Sequence, residues 1–204
     1  MDLYFSPLAC SLGARIALYE AGGEAGYHLV DPATKTTQGR DYREINPKGL
    51  VPAIRTVDGE VLSENAAVLQ YIADCFPKAK LAPAAGPERY RLQQWLSFIA
   101  TELHKAVFAP LLGRNSNDGA RTYARALAGE RFDYLNTELA ARDYLLGTFS
   151  VADAYLAAVL NWAPYVKIDL APWPAVAAYR DRLAARPSVA RAMAEEMDLY
   201  RKAA

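Results

Sequence analysis

The sequence predicts an α/β unit followed by an all-α helical-bundle unit, on three observations. Up to Pro77, short β-rich runs alternate with helical segments; beyond it, nearly every segment carries helical periodicity. Between the two, Pro77, Pro83 and Pro87 surround Ala84, Ala85 and Gly86, a stretch that cannot continue a helix. The expected division is 1–77 for the first unit, 78–87 for a linker and 88–204 for the second.

In the first unit, Leu3-Tyr4-Phe5 is a short buried strand ended by Ser6-Pro7. The run 11–21 puts Leu12, Ile16 and Tyr19 on one helical face, and Gly22-Gly23 stops it. A second strand is expected over 27–30. Strand, helix and strand within ~30 residues imply a parallel pair with a right-handed crossover. Asp58-Gly59 between the runs 53–56 and 60–62 predicts an antiparallel hairpin, and a helix over 65–76 closes the unit. This βαβ–ββα order is the thioredoxin-like arrangement. In the second unit, helices are expected over 88–109, 120–141, 151–162 and 173–185. Leu92, Trp95, Leu96, Ile99 and Leu103 trace one apolar stripe suited to a bundle core. Ser150-Val151-Ala152-Asp153 reads as a capping-box start with a structural role only.

Composition narrows the function. Lys plus Arg equals Asp plus Glu, 23 each, so bulk charge does not signal a nucleic-acid partner, and none is expected. Charge or proline breaks every apolar stretch before ~18 residues, so no membrane span is expected. Cys10 and Cys75 are far apart, which fits a reduced, cytoplasmic setting better than a disulfide framework. Asp2 and Arg15 do not suit a signal peptide, and the N-terminus is read as mature. His28 and His104 are the only histidines and form no ligand-spaced cluster, so no metal is expected.

The most informative stretch is Asn46-Pro47-Lys48-Gly49-Leu50-Val51-Pro52-Ala53. A cis Val51-Pro52 bond just before a strand presents the Val51 N–H and C=O to a peptide-like ligand; a plain loop entering an edge strand is the alternative. Ser63-Glu64-Asn65 opens a helix, whose free N–H groups suit a ligand carboxylate; equally, Ser63 or Asn65 simply caps it.

A thioredoxin-like half with these two motifs, joined to an all-helical half, resembles the cytosolic glutathione transferases. Ala9-Cys10-Ser11 and Thr101-Glu102-Leu103-His104-Lys105 resemble the bacterial beta class in particular, and the resemblance spans essentially the whole chain. It implies the glutathione transferase fold, a homodimer, a detoxifying role and glutathione as co-substrate. Under it, Val51, next to Pro52, pairs its backbone with the cysteinyl part of glutathione. Glu64 and Asn65 hold the γ-glutamyl end, and Lys35 reaches the glycyl carboxylate. Ser97 and Glu102 join the glutathione-binding set. Cys10 lies beside the glutathione sulfur, with Ser11 and His104 completing the catalytic group. Phe108, Leu111, Trp162 and Tyr165 are candidates for an apolar electrophile pocket, with bundle core as the alternative for each.

The family often has serine where Asn65 stands, asparagine where Ser97 stands and a tyrosine where Phe5 stands. Tyr4 faces the other side of its strand, so activation by a phenol is not expected. A thiol with pKa ~8.5 is only about 3% thiolate at pH 7. The expected activators are the start of the helix after Cys10, hydrogen bonds from Ser11 or Cys10, and His104. Cys10 is expected to be partly exposed with a lowered pKa, and more reactive than Cys75, which is expected to be buried in the apolar run 68–76. The implied activity is conjugation of the glutathione thiolate to small hydrophobic electrophiles, with thiol-transferase or peroxidase chemistry through Cys10 beside it. A non-catalytic glutathione-binding or regulatory protein of the same fold is the alternative.

Overall fold

The computed structural model describes residues 1–203. Strand β1 (Asp2–Phe5) runs parallel to β2 (Gly26–Leu29), with Asp2 opposite Gly26. Helix α1 (Leu12–Ala21) connects them and ends at Gly22, whose φ of 64° a glycine adopts without strain. Two-residue strands β3 (Thr36–Thr37) and β4 (Arg40–Asp41) pair around Gln38-Gly39. This hairpin was not expected, because two residues are too few to show a period-2 pattern. Strands β5 (Ala53–Arg55) and β6 (Val61–Ser63) form the expected hairpin, and the sheet order is β2-β1-β5-β6. Helix α2 (Asn65–Cys75) completes this half.

Helix α3 (Pro87–Phe98) begins the second half. It runs on through wider, π-helical turns over Ile99–Phe108 into α4 (Ala109–Leu112). There the Ala109 N–H donates to the His104 carbonyl five residues back. π-helical turns cluster at functional sites because they re-aim side chains. Helix α5 (Asp118–Leu139) is capped by Asn117, whose side chain accepts from the Ala120 N–H at 2.9 Å. Helix α6 (Val151–Leu160) opens with the expected capping box. Asp153 accepts from the Ser150 N–H at 2.8 Å and from the Tyr179 hydroxyl at 2.6 Å. Helices α7 (Pro174–Ala184) and α8 (Pro187–Ala203) finish the chain. No separate helix after 185 was expected; the amphipathic run after Pro187 supplies one.

The two halves share a contiguous core in which Leu12, Ile16 and Leu69 join Leu103, Val107 and Leu156. Helix α1 lies so close to α6 that a Cβ on Gly13 would come within 3.1 Å of the Ala154 carbonyl oxygen and of the Tyr155 Cα. Arg15, also on α1, is buried between the rings of Phe5 and Tyr27, 4.3 Å from each centroid. It pairs with Glu195 at 3.0 Å and Glu196 at 2.9 Å on α8.

A Gly-to-Ala change in an exposed helix adds up to ~1 kcal/mol of stability. Gly13→Ala is expected to do the reverse, because its new methyl would meet α6 backbone that cannot swing aside. We expect a loss of about 1–2 kcal/mol in urea unfolding.

Candidate active site

The loop from Ser6 to Ser11 leaves β1 and delivers Cys10 to the seam between the halves. It is held at Leu8, which has a φ of 59°. The Leu8 N–H donates to Glu196 at 2.7 Å, and its carbonyl accepts from the Trp162 indole at 2.8 Å. Ser11 closes the loop from inside: its hydroxyl accepts from the Ser6 N–H and donates to the Ser6 carbonyl, each at 3.2 Å. Ser11 is fully buried and lines neither cavity described below, so its expected catalytic placement is corrected to a structural one.

The facing wall is Asn46 to Pro52. Both the Tyr42 hydroxyl and the Asn46 amide donate to the Leu50 carbonyl, at 3.0 and 2.7 Å. The Val51-Pro52 bond is cis, as expected. The Val51 carbonyl accepts from the Cys10 thiol at 3.3 Å, and among the described residues nothing accepts from the Val51 N–H. At the start of α2, neither Ser63 nor Asn65 acts as the cap. Glu64 occupies that position with a φ of 68°, and its carboxylate pairs with Lys48. A non-glycine residue in this region is strained, and such strain gathers at functional sites. Asn65 is buried and donates to the Cys10 carbonyl at 3.1 Å, tying α2 to the Cys10 loop. The Asn65 and Ala66 N–H groups have no protein acceptor among the described residues.

Two cavities meet here. A smaller one of about 200 Å³ takes in the side chains of Asn46, Lys48, Ser63, Glu64, Asn65 and Tyr155. A larger, mostly apolar cleft of about 640 Å³ lies between the halves, lined by Pro7, Leu8, Val30, Leu112, Trp162 and Tyr165. Cys10, Leu50, Val51, His104 and Lys105 border both.

The comparisons with known proteins agree with this geometry. The family model described as glutathione S-transferase, N-terminal domain, matches residues 9–75, and its C-terminal counterpart matches 98–187. The chain belongs to the glutathione S-transferase family. It is 40% identical to glutathione S-transferase GstA of Escherichia coli O157:H7, over 96% of this chain and 98% of that one. Its fold superposes with TM-score 0.93 on a ternary complex of BphK, a bacterial glutathione transferase, at 47% identity over 96% of this chain and 99% of that one. A bacterial beta-class transferase from Sphingomonas chungbukensis superposes with TM-score 0.92, at 43% identity over 96% and 98%.

In this transferase, two expected properties of Cys10 are corrected. It is 9% exposed, and burial pushes its thiol up to about 12 despite the opposing field of Lys105 and the N–H groups of Cys10 and Ser11. The start of α1 does act on the sulfur in the expected direction, but desolvation outweighs it. Cys75, expected to be buried, is exposed near the end of α2. His104 does reach the site. Its Nδ1 lies 2.8 Å from the Tyr155 hydroxyl, and its ring packs on Trp162 with centroids 4.9 Å apart. Burial lowers its pKa to about 4, with Lys105 adding to the effect, so the imidazole is neutral at pH 7. The buried Tyr155 phenol is pushed far up and stays protonated. Donating to Nδ1, it leaves the ring hydrogen on Nε2.

Among the other expected residues, Trp162 and Tyr165 line the large cleft, as does Lys35. Phe108 and Leu111 do not: both are buried in the core, where Phe108 packs between Phe132 and Trp162. Ser97 is exposed and lies outside both cavities. Glu102 also lies outside them; it pairs with Arg131 on α5 at 2.8 Å rather than with Lys105. The lining residues that were not anticipated include Lys48, Lys105, Tyr155 and Tyr200. Lys105 had a visible signal, its place next to His104. Tyr155 sits inside an apolar helix and had none. Among the described residues, no group of three or more His, Cys, Asp or Glu could hold a metal ion.

Limited alkylation at pH 8 is expected to label Cys75 well before Cys10, since only a small thiolate fraction exists at a buried thiol near 12. Peptide mapping over time reads the order, and labelling of Cys10 first would overturn the burial argument.

Proposed function

We propose that this transferase binds glutathione across the ridge formed by Cys10, Val51, His104 and Lys105, and joins its sulfur to small apolar electrophiles held in the larger cleft. The observation that carries the reading is that a small cavity holding Lys48, Glu64 and the start of α2 meets a larger apolar cleft at this ridge. The γ-glutamyl carboxylate takes the free N–H groups of Asn65 and Ala66 at the start of α2, and Glu64 takes the amine. The cysteinyl backbone pairs with Val51, and Lys35 faces the glycyl carboxylate. Glutathione is the co-substrate.

Chemistry follows from the charges at the ridge. His104 is neutral and Cys10 stays a thiol, so Lys105 is the cation that favours a thiolate there. The His104 Nε2–H is a donor, and the Cys10 S–H, which donates to the Val51 carbonyl here, turns to the glutathione sulfur when the cysteinyl N–H takes that carbonyl. A drop of about 2 units in the glutathione pKa takes about 2.7 kcal/mol and makes roughly three quarters of it thiolate at pH 7. The sulfur then bonds to the electrophilic carbon, the leaving group departs with its electron pair, and the thiol proton goes to solvent. Thiol-transferase or peroxidase chemistry through Cys10 is the second reading; it must first deprotonate a thiol near 12.

The protein acts as a cytoplasmic, detoxifying homodimer from a bacterial source in this reading. Supporting this, the relatives named above are bacterial, and no helix among the described residues is long and apolar enough to cross a membrane. For the dimer, the support is the Trp95, Phe98 and Tyr134 cluster on α3 and α5, with Tyr134 41% exposed. Ser97 lies beside this cluster in sequence.

Calorimetry should show glutathione binding to wild type and binding at least ~10-fold weaker to Glu64→Ala, since a charge-assisted hydrogen bond is lost. Equal affinities would remove Glu64 from the site. Conjugation of an aromatic halide, followed from pH 6 to 9, should rise along a single limb, because His104 does not change charge in that range. In Lys105→Ala the midpoint of that limb should move up by about one unit. An unmoved midpoint would assign thiolate stabilisation elsewhere.

A further inference from the structure

Two walls of the large cleft are short segments between the long helices. One is the end of α4 with the residue after it, Leu112 and Gly113; the other is the 3-10 turn Pro164–Val166, which carries Tyr165. Both are held from outside by the same helix. On α5, Arg121 donates through Nε to the Ser116 carbonyl at 3.2 Å, through Nη1 to the Leu111 carbonyl at 3.1 Å and through Nη2 to the Gly113 carbonyl at 2.9 Å. Four residues on, Arg125 donates through Nη2 to the Val166 carbonyl at 3.0 Å. That spacing puts both side chains on one face of the helix. Neither arginine has a carboxylate partner among the described residues. Their hydrogen bonds go to backbone carbonyls instead.

The chemistry suits the task. The end of α4 leaves carbonyls without helical partners, and it is the negative end of that helix. A planar guanidinium offers several donors in a fixed fork, so Arg121 can satisfy three carbonyls of one loop at once. Gly113 tightens the same loop: a Cβ there would lie 2.6 Å from the Ser116 hydroxyl and 3.0 Å from the Ala109 carbonyl oxygen. The loop therefore has little freedom while Arg121 is in place.

We propose that Arg121 and Arg125 are positioning residues for the electrophile: they set the distance between the Leu112–Gly113 wall and the Tyr165 wall, and so decide which electrophiles the cleft accepts. The inference rests on the reading that the larger cleft holds the electrophile. Neither arginine borders the cleft, and neither borders the smaller cavity. Their effect is thus confined to the electrophile side, unlike that of a residue at the glutathione site.

The test is steady-state kinetics with one-ring and two-ring aromatic electrophiles, measuring KM for each electrophile and for glutathione separately. Arg121→Ala should raise the electrophile KM about 10-fold, with the glutathione KM within about twofold of wild type, since small misplacements of a positioning wall cost on this scale. The ratio of kcat/KM for the two-ring to the one-ring substrate should also change. Arg121→Lys should recover little, because a single ammonium cannot reach three carbonyls as a fork does, whereas Arg125→Lys, which replaces one bond, should approach wild type. Equal rises in both KM values, or an unchanged substrate ratio, would overturn the proposal. Should Arg121→Ala not fold, the two lysine variants carry the same comparison. Leu112→Trp separates the proposal from the reading beneath it. If it raises the electrophile KM while the arginine variants do not, the positioning role alone fails. If it leaves the electrophile KM unchanged, the cleft is not the electrophile site and both fail.

Discussion

The site depends on one backbone clamp. Leu8 sits in the left-handed region, with its N–H on the Glu196 carboxylate and its carbonyl on the Trp162 indole. These bonds join the loop that carries Cys10 to α8 and to the turn after α6, so the second half of the chain holds Leu8 by its N–H and by its carbonyl. The clamp is itself supported. Arg15 balances Glu195 and Glu196 while lying between two aromatic rings, which offsets part of its desolvation. Burial still pushes the Glu196 carboxyl up to about 7, with Arg15 and the Leu8 N–H acting against it. Close packing of α1 on α6 at Gly13 completes the junction. The cavities lie along this seam, and their shape follows from it.

Burial also decides the division of labour at the ridge. Two groups that a sequence reader would take as charged or reactive are neutralised by it: Cys10 keeps its proton and His104 loses one. Lys105 between them is exposed. Neutral donors around one cation suit a sulfur that must become a thiolate, whereas a thiolate on Cys10 would repel it. The protonated Cys10 thiol donates to the Val51 carbonyl at 3.3 Å.

Several features were legible from residues alone because their causes are local. Asp58-Gly59 has the backbone freedom a tight turn needs, and the β5–β6 hairpin forms around it. Ser150 and Asp153 are spaced to satisfy each other's backbone, and their capping box forms. Gly22 stops α1, and the β1–α1–β2 unit is parallel, as chain length and handedness require. The ordered motifs from Asn46 to Asn65 were enough to point to glutathione. Less visible were the short β3–β4 hairpin and the separate helix α8, whose start at Pro187 follows α7 almost at once.

What the sequence by itself determined was the order of the elements other than β3, β4 and α8, and the family, since each rests on neighbours within a few residues or on motif order. Exposure and partnership were decided only by the tertiary structure. Phe108 and Leu111 carry the same apolar character as Trp162 and Tyr165, yet the first two face the core and the others face the cleft. Glu102 could have met Lys105 on its own helix and instead meets Arg131 on another. Ser11 and Cys10 are adjacent, but one turns into the loop and the other lies at the ridge. Helical periodicity specifies a face and not what packs against it. Desolvation, which sets the protonation of Cys10 and His104, depends on everything that packs there.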